Sequence, residues 1–121
     1  GWHGVMCLSA ATKGRVQDAA YDYMNWWLSG WPGAFIARQG YYISNPQRSA
    51  KQLSRAEWDY WYQGKAASMA LKGTDGKVSV NKGDIRTGGS YERRFSHVAV
   101  WNSVMPTYDY SLQKWYEFIS S

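Results

Sequence analysis

Apolar residues recur at helical spacing from Val16 through Ala19, Ala20, Tyr23 and Met24 to Trp27, which predicts an amphipathic helix. Thr12-Lys13-Gly14 forms the turn before it, and Asp18 stands near the helix N-terminus, where the helix dipole favours negative charge. Gly30 fits a left-handed C-cap, Pro32 fits the first turn of a second helix, and Gly40 fits the cap that ends it. The unit closes on Gly40-Tyr41-Tyr42. Upstream, residues 5–11 are an apolar and small-residue run, expected to be a buried strand.

Further along, Asn45-Pro46 reads as an N-cap followed by an N1 proline, opening a short helix towards Lys51. Ser54-Arg55-Ala56-Glu57 matches a capping box, with Leu53 and Trp58 at the staple positions on either side. It begins a helix expected to run to about Tyr62, before Gly64. Between residues 65 and 89 the pattern changes. Thr74-Asp75-Gly76, Asn81-Lys82-Gly83-Asp84 and Thr87-Gly88-Gly89 are turn signals flanking the weakly alternating Lys77-Val78-Ser79-Val80 and Ile85. This predicts an exposed hairpin or extended excursion. Residues 90–105 are ambiguous between helix and irregular chain. After Pro106-Thr107, a final helix carries Tyr108, Leu112, Trp115, Tyr116 and Ile119 on one apolar face. The expected fold class is α+β and helix-rich, with residues 1–121 as a single domain.

Composition narrows this picture. The chain of 121 residues is large enough to bury one core without staples. No apolar run approaches the ~20 residues a membrane-spanning helix needs. The net charge of +5 suits anionic partners, but the basic residues are dispersed and the densest cluster is Arg93-Arg94, so a solvated surface explains them. Eight Trp and ten Tyr exceed what one small core hides, so a partner surface or further polypeptide is expected to cover some of them. Gly1-Trp2-His3-Gly4 has neither a basic n-region nor an apolar h-region and reads as a chain entered within an element.

Candidate chemistry is sparse. Cys7 is single, so no internal disulfide forms, and it reads as a small buried residue between Met6 and Leu8. His3, His97 and Cys7 do not share a metal-ligand spacing, and no metal or cofactor is expected. Glu57 and Asp59, or Asp109 and Glu117, could be named as glycosidase carboxylate pairs, but each reads as a surface carboxylate on a helix. No phosphate-loop pattern is present, and no enzymatic activity is expected. Trp58-Asp59-Tyr60-Trp61-Tyr62 is the densest aromatic run, and its helical spacing makes it core. Tyr41-Tyr42 differs because it follows a helix-ending glycine in a loop, where binding groups concentrate.

Taken in order, these segments resemble the C-terminal part of an extracellular solute-binding protein of an ABC transporter, of the spermidine/putrescine-binding type. The resemblance rests on strand-like Gly1-Trp2-His3-Gly4-Val5-Met6 and on Ser9-Ala10-Ala11. It continues with Asp18-Ala19-Ala20-Tyr21-Asp22-Tyr23-Met24-Asn25-Trp26-Trp27-Leu28, similar to a family helix of pattern Ala-Tyr-x-Phe-Ile-Asn-x-Leu-Leu. Gly40-Tyr41-Tyr42-Ile43-Ser44-Asn45 resembles a Gly-Tyr-x-x-x-Asn turn. Val100-Trp101-Asn102, with Tyr110-Ser111-Leu112-Gln113-Lys114-Trp115-Tyr116-Glu117-Phe118, resembles the closing segment and last helix. Residues 65–89 match least.

The resemblance implies a partial lobe of a periplasmic-binding-protein-like (type II) α/β fold, roughly the last third of a two-lobed protein. It implies the substrate-binding component of an importer for a small solute, a polyamine or related compound. That protein would be periplasmic or extracellular and would meet an ABC permease. Tyr41 matches a position lining the ligand cleft, and Asn102, beside Trp101, a polar amide near the ligand. Where the family places an acidic partner and an aromatic neighbour, this chain has Met6 and Gly4; a register shift would bring Trp2 or His3 into their place. A lobe fragment is expected to pair as a homodimer or higher oligomer, and sedimentation as a compact monomer at high concentration would count against this. The alternative is a free-standing aromatic-rich module that binds carbohydrate or nucleic acid.

Overall fold

A computed structural model describes residues 1–43, 45–101 and 106–121. The described elements run in the order α1 (Gly14–Trp27), α2 (Trp31–Ala37), α3 (Pro46–Ala50), α4 (Arg55–Trp61), β1 (Leu71–Lys72), β2 (Val78–Val80), α5 (Tyr91–Ser96) and α6 (Tyr108–Ile119). The architecture is a helix-rich α+β domain with a small antiparallel strand pair.

Local signals explain the first four helices. α1 begins at Gly14, so Asp18 falls in its second turn rather than its first. Gly30 is left-handed (φ 105°) but serves as the N-cap of α2 instead of the C-cap of α1, which closes at Leu28. A side chain at Gly30 would collide with the Arg48 carbonyl oxygen, 2.3 Å from where its Cβ would stand, so the position is closed to other residues on two grounds. The Arg48 guanidinium meanwhile donates to the Leu28 carbonyl at 3.0 Å, tying the end of α1 to α3. Asn45 caps α3 by accepting from the Arg48 backbone N–H at 3.1 Å, with Pro46 at N1. The capping box forms as expected. Ser54 Oγ accepts from Glu57 N–H at 3.3 Å, and Glu57 Oε2 accepts from Ser54 N–H at 2.8 Å.

The core lies on α4 and the strand pair. Ala37, Tyr60, Trp61, Tyr62, Ala67, Leu71 and Val80 are buried together, and Tyr42, Leu53, Ala56, Trp58 and Tyr91 pack against them. The expectation that Trp58, Trp61 and Tyr62 are core residues therefore holds.

Two expectations need correction, and a third is sharpened. Residues 5–11 form no strand and are exposed apart from the half-buried Leu8, because no neighbouring strand offers them a ladder. Cys7 is accordingly exposed, not buried. The 65–89 segment forms the expected hairpin and most of its residues are exposed, but it is anchored in the core and does not stand free. Leu71 pairs with Val80 and both are buried, while Gly83 N–H donates to the Ala67 carbonyl at 2.8 Å and Ala67 N–H to Asp84 at 2.9 Å. The segment closes over the core instead of standing off it. α5 resolves part of the ambiguous 90–105 region; Ser90 caps it by accepting from Arg93 N–H at 3.2 Å. α6 forms as expected, yet no residue of it is buried.

Candidate aromatic binding wall

Three separate segments supply the candidate site: residues 1–3, the turn after α2, and the chain after α5. Gly40 adopts φ 90°, which lets the chain reverse immediately after α2 and carries Tyr41 to the surface and Tyr42 inward. Trp2 meets Tyr41 edge-on, with ring centroids 6.4 Å apart. His3 meets Trp101 in the same manner at 5.9 Å. The Gly1 nitrogen donates to the Val100 carbonyl at 2.8 Å, joining the two ends of the described site. Four of the five candidate ligand-binding residues, Trp2, His3, Tyr41 and Trp101, thus fall into two ring pairs joined through the adjacent residues Trp2 and His3. Asn102, the fifth, lies outside the described residues.

Trp101 connects to the core through further rings. Trp101 contacts Phe95 at 5.5 Å, Phe95 contacts Tyr42 at 5.7 Å, and Tyr42 contacts Tyr62 at 5.2 Å and Tyr91 at 5.0 Å. Tyr62 stacks on Trp58 at 4.4 Å and 15°. Edge-to-face and offset contacts of this kind each add about 0.5–1.5 kcal/mol beyond burial, so Trp101 is braced from behind, whereas Trp2 and Tyr41 meet each other. Trp2 is 71% exposed, Tyr41 54% and Trp101 42%. Of the rings behind Trp101, Phe95 is still partly open at the surface, Tyr42 and Tyr91 are half-buried, and Tyr62 is buried.

Arg86 completes the site, and sequence reasoning missed it. It is only 9% exposed. Its guanidinium donates to the Gly40 carbonyl at 2.7 Å, to the Trp61 carbonyl at 2.7 Å, and to the Tyr42 hydroxyl. It also lies over the Tyr42 ring at 4.8 Å and the Trp61 ring at 5.0 Å. The one arginine thus holds both residues that flank Tyr41. Its partners lie 25 to 46 positions away in sequence, so no local pattern announces it. Burial pushes the Tyr42 phenol above its ordinary pKa, against the opposing pull of Arg86 and Arg94.

Three of the four carboxylates considered for catalysis are engaged in ion pairs. Arg38 Nε donates to Glu57 at 2.6 Å, and Asp59 pairs with Arg55 at 3.1 Å and Lys65 at 3.2 Å. Asp109 and Glu117 both lie on α6, where Glu117 meets Lys114 at 2.6 Å. Among the described residues, no three His, Cys, Asp or Glu side chains converge as a metal site would require.

A second run of rings crosses from α1 to α2. Tyr23, Trp26, Trp31 and Phe35 follow one another at centroid spacings of 5.9, 5.9 and 5.7 Å, all exposed. The tryptophans of this unit therefore reach solvent more than a purely structural packing role needs.

No family model matches this chain, and no curated protein or solved structure matches it. Among the described residues no helix is long and apolar enough to cross a membrane.

Proposed function

We propose that this chain is a non-enzymatic solute-binding unit, and that Trp2, His3, Tyr41 and Trp101 form one wall of its ligand cleft. The carrying observation is the meeting of these residues from three distant segments, with Trp2, Tyr41 and Trp101 exposed, Trp101 joined to the core through Phe95 and Tyr42, and the turn around Tyr41 held by Arg86. Such a wall binds by stacking and apolar contact, and its role is to capture a molecule rather than to transform it. The order of the segments in the sequence supports a wider reading, the substrate-binding component of an ABC importer acting in a periplasmic or extracellular setting. In that reading the opposite wall comes from a first lobe, and cleft closure delivers the solute to a permease. The uncovered apolar faces of α1 and α6 support self-association as a homodimer or higher oligomer, which sedimentation against concentration checks.

A thermal-shift panel of amines, amino acids and sugars tests the binding reading. One chemical class is expected to raise the melting temperature in a saturable way, as a ligand bound only to the folded state must. A flat response across the panel at millimolar solute would count against it. The second reading, an interaction module for carbohydrate or nucleic acid, draws on the exposed run from Tyr23 to Phe35 together with the net positive charge.

A further inference from the structure

We propose that Arg86 is a positioning and specificity-determining residue of the aromatic wall, fixing the Gly40-Tyr41-Tyr42 turn and favouring solutes that carry a carboxylate over solutes that carry an ammonium. This rests on reading the wall as a binding surface.

The positioning half follows from the hydrogen bonds. Gly40 offers its carbonyl and Tyr42 its hydroxyl to the same guanidinium, so the residues on both sides of Tyr41 are held by one planar donor. A Cβ at Gly40 would stand 3.6 Å from Arg86 Nη2, which places the charge directly behind the turn. Arginine suits this place because its fork of fixed donors serves several acceptors at once, which an ammonium on a flexible stem does less well.

The specificity half follows from what surrounds the charge. Among the described residues, the hydrogen-bond partners of Arg86 are two carbonyls and a hydroxyl, and no ion pair neutralises it. Arg94 reinforces the same sign; it donates to the Thr87 carbonyl at 2.6 Å. A buried cation is weakly screened, so its field reaches the rings in front of it. Arg86 already lies over the Tyr42 ring and draws on that ring's negative face. The wall thereby offers an arriving ammonium repulsion, and an arriving carboxylate attraction.

The test uses benzoate and benzylammonium, which share a ring and differ in charge, titrated into the 15N-labelled chain while the indole N–H signals of Trp2 and Trp101 are followed. The wild-type chain is expected to bind benzoate at least about fivefold more tightly than benzylammonium, because a buried cation attracts the one and repels the other. Arg86→Lys keeps the charge but loses the fork, so both probes should weaken while the preference for benzoate stays. Arg86→Met should abolish the preference. If the Met variant does not fold, the wild-type ratio and the Lys variant still decide the matter. Equal or tighter binding of benzylammonium to the wild-type chain overturns the proposal, as does a folded Met variant that retains the preference. Failure of both probes to move either indole signal overturns the wall itself, a different result from loss of charge selectivity.

Discussion

Glu57 works at two junctions at once. One oxygen accepts from the Ser54 N–H and closes the capping box of α4, while the other accepts from Arg38 at the end of α2. Burial pushes its carboxyl up, but the Arg38 and Ser54 hydrogen bonds outweigh that and leave its pKa below the ordinary value. A carboxylate depressed in the folded state contributes stability that is present above its unfolded pKa of about 4.3 and is lost as pH falls through the folded value. Denaturation midpoints measured from pH 6 to pH 3 should therefore drop less for Glu57→Gln than for the wild-type chain over the acid part of that range; parallel profiles would contradict this account. The capping box was legible because its residues lie within four positions and each bond is local. The link to Arg38 was not, since nothing near Glu57 in sequence names a partner 19 residues away. Arg86 shows the same limit more sharply: to the eye it is one basic residue among turn signals, and only the fold shows what it holds.

Elements follow the same division. α2, α3 and α4 were legible from prolines and polar caps near their starts, whereas the glycine caps were misplaced: Gly30 opens α2, and α2 ends at the C-cap Arg38, two residues before Gly40. The strand pair was legible as a hairpin or extended excursion, but the burial of Leu71 and Val80 was not. β1 has two residues and β2 three, too short for alternation to reveal an inward face. Leu71 and Val80 are buried because the chain folds back over α4, and that return is set by contacts of longer range. Leu71→Ala should consequently lower stability by about 2–4 kcal/mol in chemical denaturation, the cost of removing a buried aliphatic side chain. A loss below about 0.5 kcal/mol would restore the exposed-hairpin picture. Residues 5–11 make the opposite case. Their apolar run looked like a strand, but apolar composition cannot supply the hydrogen-bonding neighbour that a strand needs.

At the scale of the whole molecule, two groups of aromatic residues stand out beside the exposed rings of α6. One is a continuous set of rings from Trp58 and Tyr62 in the core, through Tyr42 and Phe95, to Trp101 at the surface, with Trp2 and Tyr41 paired beside the same turn. The other is the exposed run from Tyr23 to Phe35. The first joins segments remote in sequence and is held by Arg86, whereas the second spans two adjacent helices. The resemblance named Trp2, His3, Tyr41 and Trp101 as ligand contacts, but their ring pairs and the brace behind Trp101 became visible only in the fold. The central claim is that the braced group binds the solute and the other does not. The most direct measurement is the dissociation constant of the solute class found in the thermal-shift panel for the wild-type chain, Tyr41→Ala and Trp31→Ala. Tyr41→Ala should weaken binding about tenfold or more, equivalent to about 1.4 kcal/mol, with Trp31→Ala unchanged. Loss of affinity on Trp31→Ala with Tyr41→Ala unaffected would contradict the account.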